Sequence, residues 1–110
     1  MRRFALILLL WPSILAAEEF RALTGDEILE ALTGHKLGYG KGIWQTFDAS
    51  GVTNYFSGGP SAGRWVVRGD QYCSVWPPSE LWACYDVLRS GHIIRFVDSN
   101  GELTDGTYAK

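Results

Sequence analysis

The sequence predicts a mainly β protein, a small antiparallel meander or barrel with one N-terminal α-helix. Three observations predict it. Between Gly63 and Phe96, runs of alternating character are separated by turn residues at Gly69-Asp70, Pro77-Pro78-Ser79-Glu80 and Ser90-Gly91. The registers these turns dictate gather bulky residues on one side of the sheet, as period-two alternation requires. They also set Cys73 opposite Cys84, within the separation a disulfide spans.

Taken in order, the chain opens with a pattern that reads as a secretory signal over residues 1–17. Arg2 and Arg3 precede an apolar run from Phe4 to Leu15, broken by Pro12 and Ser13 and followed by Ala16-Ala17 before Glu18-Glu19. The run is shorter than the roughly 20 residues of a membrane span, so no stable membrane insertion is expected after cleavage. Residues 18–110 then form a single small β domain. Cleavage removes two of the ten basic residues and none of the twelve acidic ones, leaving a net charge of −4. Without a basic stripe, such a surface argues against nucleic-acid binding. An exported chain with two cysteines belongs in an oxidising compartment, periplasmic or secreted.

A short helix is expected from Gly25 to about Leu32. Thr24 is the N-cap, Glu27 occupies the capping-box position, Leu23 can staple onto Ile28, and Gly34 supplies the stop. Its stripe of Ile28, Leu29, Ala31 and Leu32 should lie on the sheet, over an outer patch of Val66, Val75 and Trp82. The glycine-rich stretch from His35 to Gly42 lacks the third glycine, the preceding strand and the following helix of a dinucleotide cradle. It reads as a flexible lead into a strand.

Ile43 to Phe47 and Val52 to Ser57 make a hairpin around Asp48-Ala49-Ser50-Gly51. Centring that loop sets Trp44 opposite Tyr55 and Phe47 opposite Val52, with both faces partly aromatic. Gly58 to Gly63 reads as an irregular crossing and the most mobile rim. Gly42-Ile43-Trp44 and Gly63-Arg64-Trp65 echo each other, an arrangement in which an indole can plug a barrel end.

In the central stretch the turns set Val67 opposite Tyr72, Trp65 opposite Ser74, Tyr72 opposite Tyr85 and Val75 opposite Trp82. Ser90-Gly91 sets Val87 opposite Ile94, Tyr85 opposite Phe96 and Asp86 opposite Arg95, the last an ion pair worth about 0.2–1 kcal/mol. One face then holds Trp65, Val67, Tyr72 and Trp76, continuing through Leu81, Ala83, Tyr85, Val87, Ile94 and Phe96. A further turn at Asn100-Gly101 leads into a short edge strand within 102–109.

No catalytic, cofactor or metal signature emerges. His35 and His92 fall in separate segments, and no serine, histidine and acid residue are brought together by a nucleophile motif. Trp76, beside the prolines, and Trp82, on the outer face, are the aromatics hardest to hide. With Val75, Pro77, Pro78 and Glu80 they make a candidate partner surface on a disulfide-braced hairpin tip.

From Gly63-Arg64-Trp65-Val66-Val67-Arg68-Gly69-Asp70-Gln71-Tyr72-Cys73 through Trp82-Ala83-Cys84-Tyr85, and at Leu23-Thr24-Gly25 and Ala31-Leu32-Thr33-Gly34, the chain resembles a poorly characterised family of small exported, disulfide-containing proteins of Gram-negative bacteria. Some members carry the label dihydrodipicolinate reductase. That enzyme is a longer chain with a nucleotide-binding fingerprint and a paired-histidine, lysine-containing motif, and this sequence has neither.

The function expected first is therefore noncatalytic binding of an envelope or secreted protein, as an inhibitor or accessory factor. A lipocalin-like carrier of a small apolar ligand is the alternative, and an enzyme ranks last.

Overall fold

A computed structural model describes residues 19–109, so the secretory signal expected at residues 1–17 lies outside the described residues. The elements are β1 (Arg21–Ala22), α1 (Gly25–Leu32), β2 (Lys36–Gly40), β3 (Ile43–Phe47), β4 (Val52–Phe56), β5 (Pro60–Arg68), β6 (Gln71–Val75), β7 (Ala83–Ser90), β8 (Ile93–Val97) and β9 (Leu103–Tyr108). From β2 to β9 each strand pairs antiparallel with the next, and β9 pairs back onto β2. The result is a closed eight-stranded up-and-down barrel, an arrangement that leaves no free sheet edge. The two-residue β1 pairs with the distal half of β7, beyond the part that β6 covers.

Strands that alternate in direction place their turns alternately at the two ends. One end carries the turns at residues 48–51, 69–70 and 91–92, and α1 closes it. Thr24 caps the helix: its hydroxyl accepts from the Glu27 amide while the Glu27 carboxylate accepts from the Thr24 amide, a complete capping box. Gly25 at the helix start meets the β5–β6 turn so closely that a Cβ there would lie 2.2 Å from the Gly69 carbonyl oxygen. Its amide donates to the Asp70 carboxylate at 2.8 Å. At the helix C-terminus the Tyr108 hydroxyl of β9 donates to the Ala31 carbonyl at 2.8 Å.

Ile28, Ala31 and Leu32 thereby enter the barrel interior and meet Leu37, Phe47, Trp65, Val87 and Ile94. Full burial of side chains such as Ile28 and Leu32 contributes about 1.5–3 kcal/mol each. Phe47 sits among Trp65, Tyr72 and Phe96, with ring centroids 5.6, 5.8 and 6.5 Å away. The Trp65 indole donates to the Asp48 carbonyl at 2.9 Å, sealing the same end.

The registers on either side of β6 are those the turns dictate: Val67 opposite Tyr72, Trp65 opposite Ser74, Tyr72 opposite Tyr85 and Cys73 opposite Cys84. The β6–β7 ladder stops at Ser74 and Ala83, so the expected Val75–Trp82 pair does not form. Residues 76–82 leave the ladder there, because two consecutive prolines offer no amide donors.

The β7–β8 hairpin is shifted by two residues from the expected register. Its loop is Gly91-His92, with Gly91 at φ 58°, so Val87 faces Phe96, Arg89 faces Ile94 and Leu88 faces Arg95. A two-residue shift preserves side-chain parity, which is why Tyr85, Val87, Ile94 and Phe96 still share the inner face. The expected Asp86–Arg95 pair is replaced. Arg95 grips Asp105 of β9 through two bonds of 2.8 and 2.9 Å, and Asp86 accepts from Gln71.

The β3–β4 hairpin is shifted by one, which does change faces. Asp48 pairs with Val52 and Gly51 takes φ 96°, so Trp44 faces Phe56 and Phe47 faces Thr53. Gln45, Phe47, Thr53 and Tyr55 consequently point inward. Trp44 points outward, stacked on Phe56 at 5.6 Å under the Lys36 ammonium, so only Trp65 of the glycine-x-tryptophan echo plugs an end.

Five further expectations are corrected. The glycine-rich lead is a strand, β2, with Leu37 and Tyr39 inward. The irregular crossing is a short turn, and Pro60 to Gly63 already belong to β5. β9 is no edge strand, since both its sides are paired. The helix covers the barrel end rather than the outer patch, leaving Val66 and Trp82 exposed while Val75 is buried. Leu81 and Ala83, expected inside, are both exposed.

Candidate functional site

No described residue plugs the opposite end of the barrel as α1 plugs the first. Its turns lie at residues 41–42, 57–59, 76–82 and 98–102, and between them opens a cavity of about 480 Å³. This is within the range of small-molecule sites. Inward alternation places Tyr39 of β2, Tyr55 of β4, Tyr72 of β6 and Tyr85 of β7 around it, with Phe96 and the indole of Trp76.

Two strand glycines make this possible. A Cβ on Gly63 would lie 2.7 Å from the Trp76 ring, and one on Gly106 would lie 2.8 Å from the Tyr39 ring. Glycine at these positions lets each aromatic ring lie directly on the barrel wall.

The floor is a chain of hydrogen bonds centred on buried Gln45. Its carbonyl oxygen accepts from the Tyr39 hydroxyl at 2.6 Å, and its amide nitrogen donates to the Thr53 hydroxyl at 2.9 Å and the Tyr72 hydroxyl at 3.0 Å. Thr53 passes its own proton to the Thr46 carbonyl. Higher up, the Trp76 indole donates to the Ser74 hydroxyl at 3.2 Å. Each of these polar groups is paired, as burial demands.

Burial also pushes the Tyr39 hydroxyl well above the usual phenol range, helped by neighbouring Tyr72, Tyr55 and Tyr85. It raises Tyr72 as well, against the opposing pull of hydrogen bonds with Ser74, Gln45 and Thr53. Both are neutral phenols at physiological pH. By contrast, the hydroxyls of Tyr55 and Tyr85, which also line the cavity, hydrogen-bond to no other described residue. Among the described residues, no aspartate, glutamate, lysine, arginine, histidine or cysteine lines the space.

The residues singled out in sequence divide between this cavity and its rim. Cys73 and Cys84 form the disulfide, S–S 2.06 Å and Cα–Cα 4.0 Å, directly below the 76–82 loop. Trp76 is half-buried and turned into the mouth, its ring 5.9 Å from that of Tyr55, and Pro77 continues the cavity wall. Pro78 and Glu80 are exposed on the rim and Val75 is buried. Trp82 lies outside under the Arg68 guanidinium, 4.8 Å away, next to Leu81, which is 82% exposed.

Sequence reasoning singled out neither Tyr39, Gln45 nor Tyr55 for a site. A signal existed in Gln45, a polar residue alternating between Ile43 and Phe47, but it becomes readable only once the β3–β4 register is known. Among the described residues, no group of three or more histidines, cysteines or acidic residues is placed to hold a metal ion, and no helix is long and apolar enough to cross a membrane. Comparison with known proteins finds no matching family model, no curated protein and no solved structure similar to this chain.

Proposed function

We propose that this protein is a noncatalytic, exported binding barrel, periplasmic or secreted, that carries a small, largely apolar molecule in its open cup. The observation that carries this reading is the division of the barrel interior. One half is a dry core sealed by α1, and the other is an aromatic cavity with a satisfied polar floor and an open mouth. Eight strands leave an interior wide enough to be filled by side chains or to hold one small ligand, and here each option occupies one end. The described lining offers no nucleophile paired with a base and no carboxylic acid, which supports binding rather than bond making.

The disulfide supports the oxidising compartment. It also braces the loop that brings Trp76 to the cavity.

The test is native mass spectrometry of gently purified protein, followed by tryptophan-fluorescence titration against a library of small apolar compounds. A retained adduct, or saturable quenching that is lost in Gln45→Leu, supports the carrier. A bare polypeptide that no compound titrates overturns it.

A second reading, inhibition or assistance of an envelope protein, is favoured by exposed Leu81 and Trp82 on the same loop. It requires that Leu81→Ala with Trp82→Ala abolish capture of a defined periplasmic partner. Unchanged capture sinks it.

A further inference from the structure

We infer that the cup selects an uncharged, fused-ring aromatic compound carrying a hydroxyl or carbonyl group, and rejects anions, including fatty acids. This rests on the carrier reading above and goes on to specify the ligand's chemistry. Three observations on the cavity carry it.

The first is charge. An acyl chain with a carboxylate head would bring an anion into a space where no described lining residue is a cation. Burying an unpaired carboxylate is among the costliest transfers a site can impose. The floor offers no compensation, because the amide nitrogen of Gln45 is already committed to Thr53 and Tyr72.

The second is shape. The wall is made of flat rings held at angles to one another: Tyr55 against Trp76 at 5.9 Å, Tyr72 against Tyr85 at 5.8 Å and Tyr85 against Phe96 at 6.2 Å. Rigid planar guests gain edge-to-face and offset contacts from such a wall. They also lose less conformational freedom on binding than a flexible chain does.

The third is polarity. Tyr55 from β4 and Tyr85 from β7 present phenol hydroxyls that no other described residue uses, and Thr104 of β9 adds an aliphatic one. Each can donate to a carbonyl or accept from a hydroxyl on the guest. Tyr39 and Tyr72, locked into the floor, leave the guest an uncharged base to rest on.

The experiment is calorimetry of the folded, disulfide-bonded protein at pH 7 with 2-naphthol, 2-naphthoate, naphthalene and dodecanoate. The expected result is saturable binding of 2-naphthol, at least tenfold tighter than its carboxylate counterpart, and none of dodecanoate. Tyr55→Phe and Tyr85→Phe, which keep the rings, should each lower the ratio of 2-naphthol to naphthalene affinity by about fivefold, the loss of one hydrogen bond.

Binding of 2-naphthoate or dodecanoate as tight as that of 2-naphthol overturns the inference and leaves the carrier reading intact. So does saturation by neutral aliphatic compounds alone. An affinity ratio unchanged in both phenylalanine variants overturns the role given to the hydroxyls. Failure of these probes and of the whole apolar library overturns inference and carrier together.

Discussion

A methyl group on Gly63 would come within 2.5 Å of the Val75 carbonyl and 2.7 Å of the Trp76 ring. The carbonyl is backbone, so β5 and β6 must part locally, and the indole must leave the wall as well. Gly63→Ala is expected to cost about 1–3 kcal/mol, the range for overpacking, and to red-shift tryptophan emission as Trp76 moves toward water. Thermal unfolding and fluorescence spectra measure both, and an unchanged midpoint would show that the mouth repacks freely.

The floor tyrosines make a second residue-scale prediction. Tyr39 and Tyr72 have folded-state pKa values raised above the ordinary phenol value, so the fold favours their neutral forms. Their contribution to stability is complete below about pH 10 and is lost as pH rises toward the folded-state values. Phenolate absorbance at 295 nm should therefore show a late step that coincides with alkaline unfolding. Tyr39→Phe, which cannot ionise, should move that unfolding to higher pH. Titration of all five tyrosines near pH 10 with the far-ultraviolet circular dichroism intact would refute the assignment.

Among the elements, α1 shows its chemistry most openly. Thr24→Ala removes one half of the capping box and should cost about 1 kcal/mol by urea titration. The Glu27 carboxylate is held below its usual pKa by the Thr24 amide, with a smaller contribution from Arg21, and Asp105 is held low by Arg95. Groups depressed in this way stabilise the fold above about pH 4, and that support is lost as pH falls through their folded-state values. Glu27→Gln and Asp105→Asn should each flatten the fall in urea midpoint between pH 5 and pH 2. If neither does, the two carboxylates contribute nothing to acid sensitivity.

The β6–β7 hairpin carries the crosslink. Replacing Cys73 and Cys84 together by alanine should remove about 2–3 kcal/mol, the entropy of closing a short loop, read from the urea midpoint. Retention of the wild-type midpoint would assign the bridge no role in stability.

The elements also show what could be read in advance and why. Tight turns and opposed cysteines specified the β5–β6 and β6–β7 registers, because Gly69-Asp70 leaves no slack, while the start of β5 at Pro60 and the end of the β6–β7 ladder at Ser74 and Ala83 were not legible. An even error at Gly91-His92 did no harm to the faces. An odd one at Asp48-Ala49-Ser50-Gly51, where Asp48 pairs with Val52 and Gly51 takes a positive φ, left the strands β3 and β4 legible but their register and inner face not, and concealed the site with them. β2 was illegible for another reason: its outward positions include Gly38 and Gly40, so no polar face contrasts with Leu37 and Tyr39. The cavity depends on which barrel end the helix enters. That choice rests on Gly25 meeting Gly69 and on Tyr108 reaching Ala31, contacts between segments far apart in the chain.

At the scale of the whole molecule, helix and cup depend on each other through the barrel wall. The helix occupies one end of the interior, so among the described residues the aromatic side chains beyond Phe47 meet no apolar plug, and on the proposed carrier reading a guest covers them. Filling that space should stabilise the protein by mass action, and a saturating guest is expected to raise the thermal midpoint in proportion to the logarithm of its concentration.

The seam where β9 meets β2 pairs Leu37 with Tyr108. A ribosome must therefore deliver every residue from Leu37 to Tyr108 before this seam can be stitched. Until then the growing chain carries two unsatisfied flanks and cannot lock. On the proposed reading of an exported chain, that delay keeps the barrel open while the polypeptide threads a translocation pore, and the order of the strands imposes it.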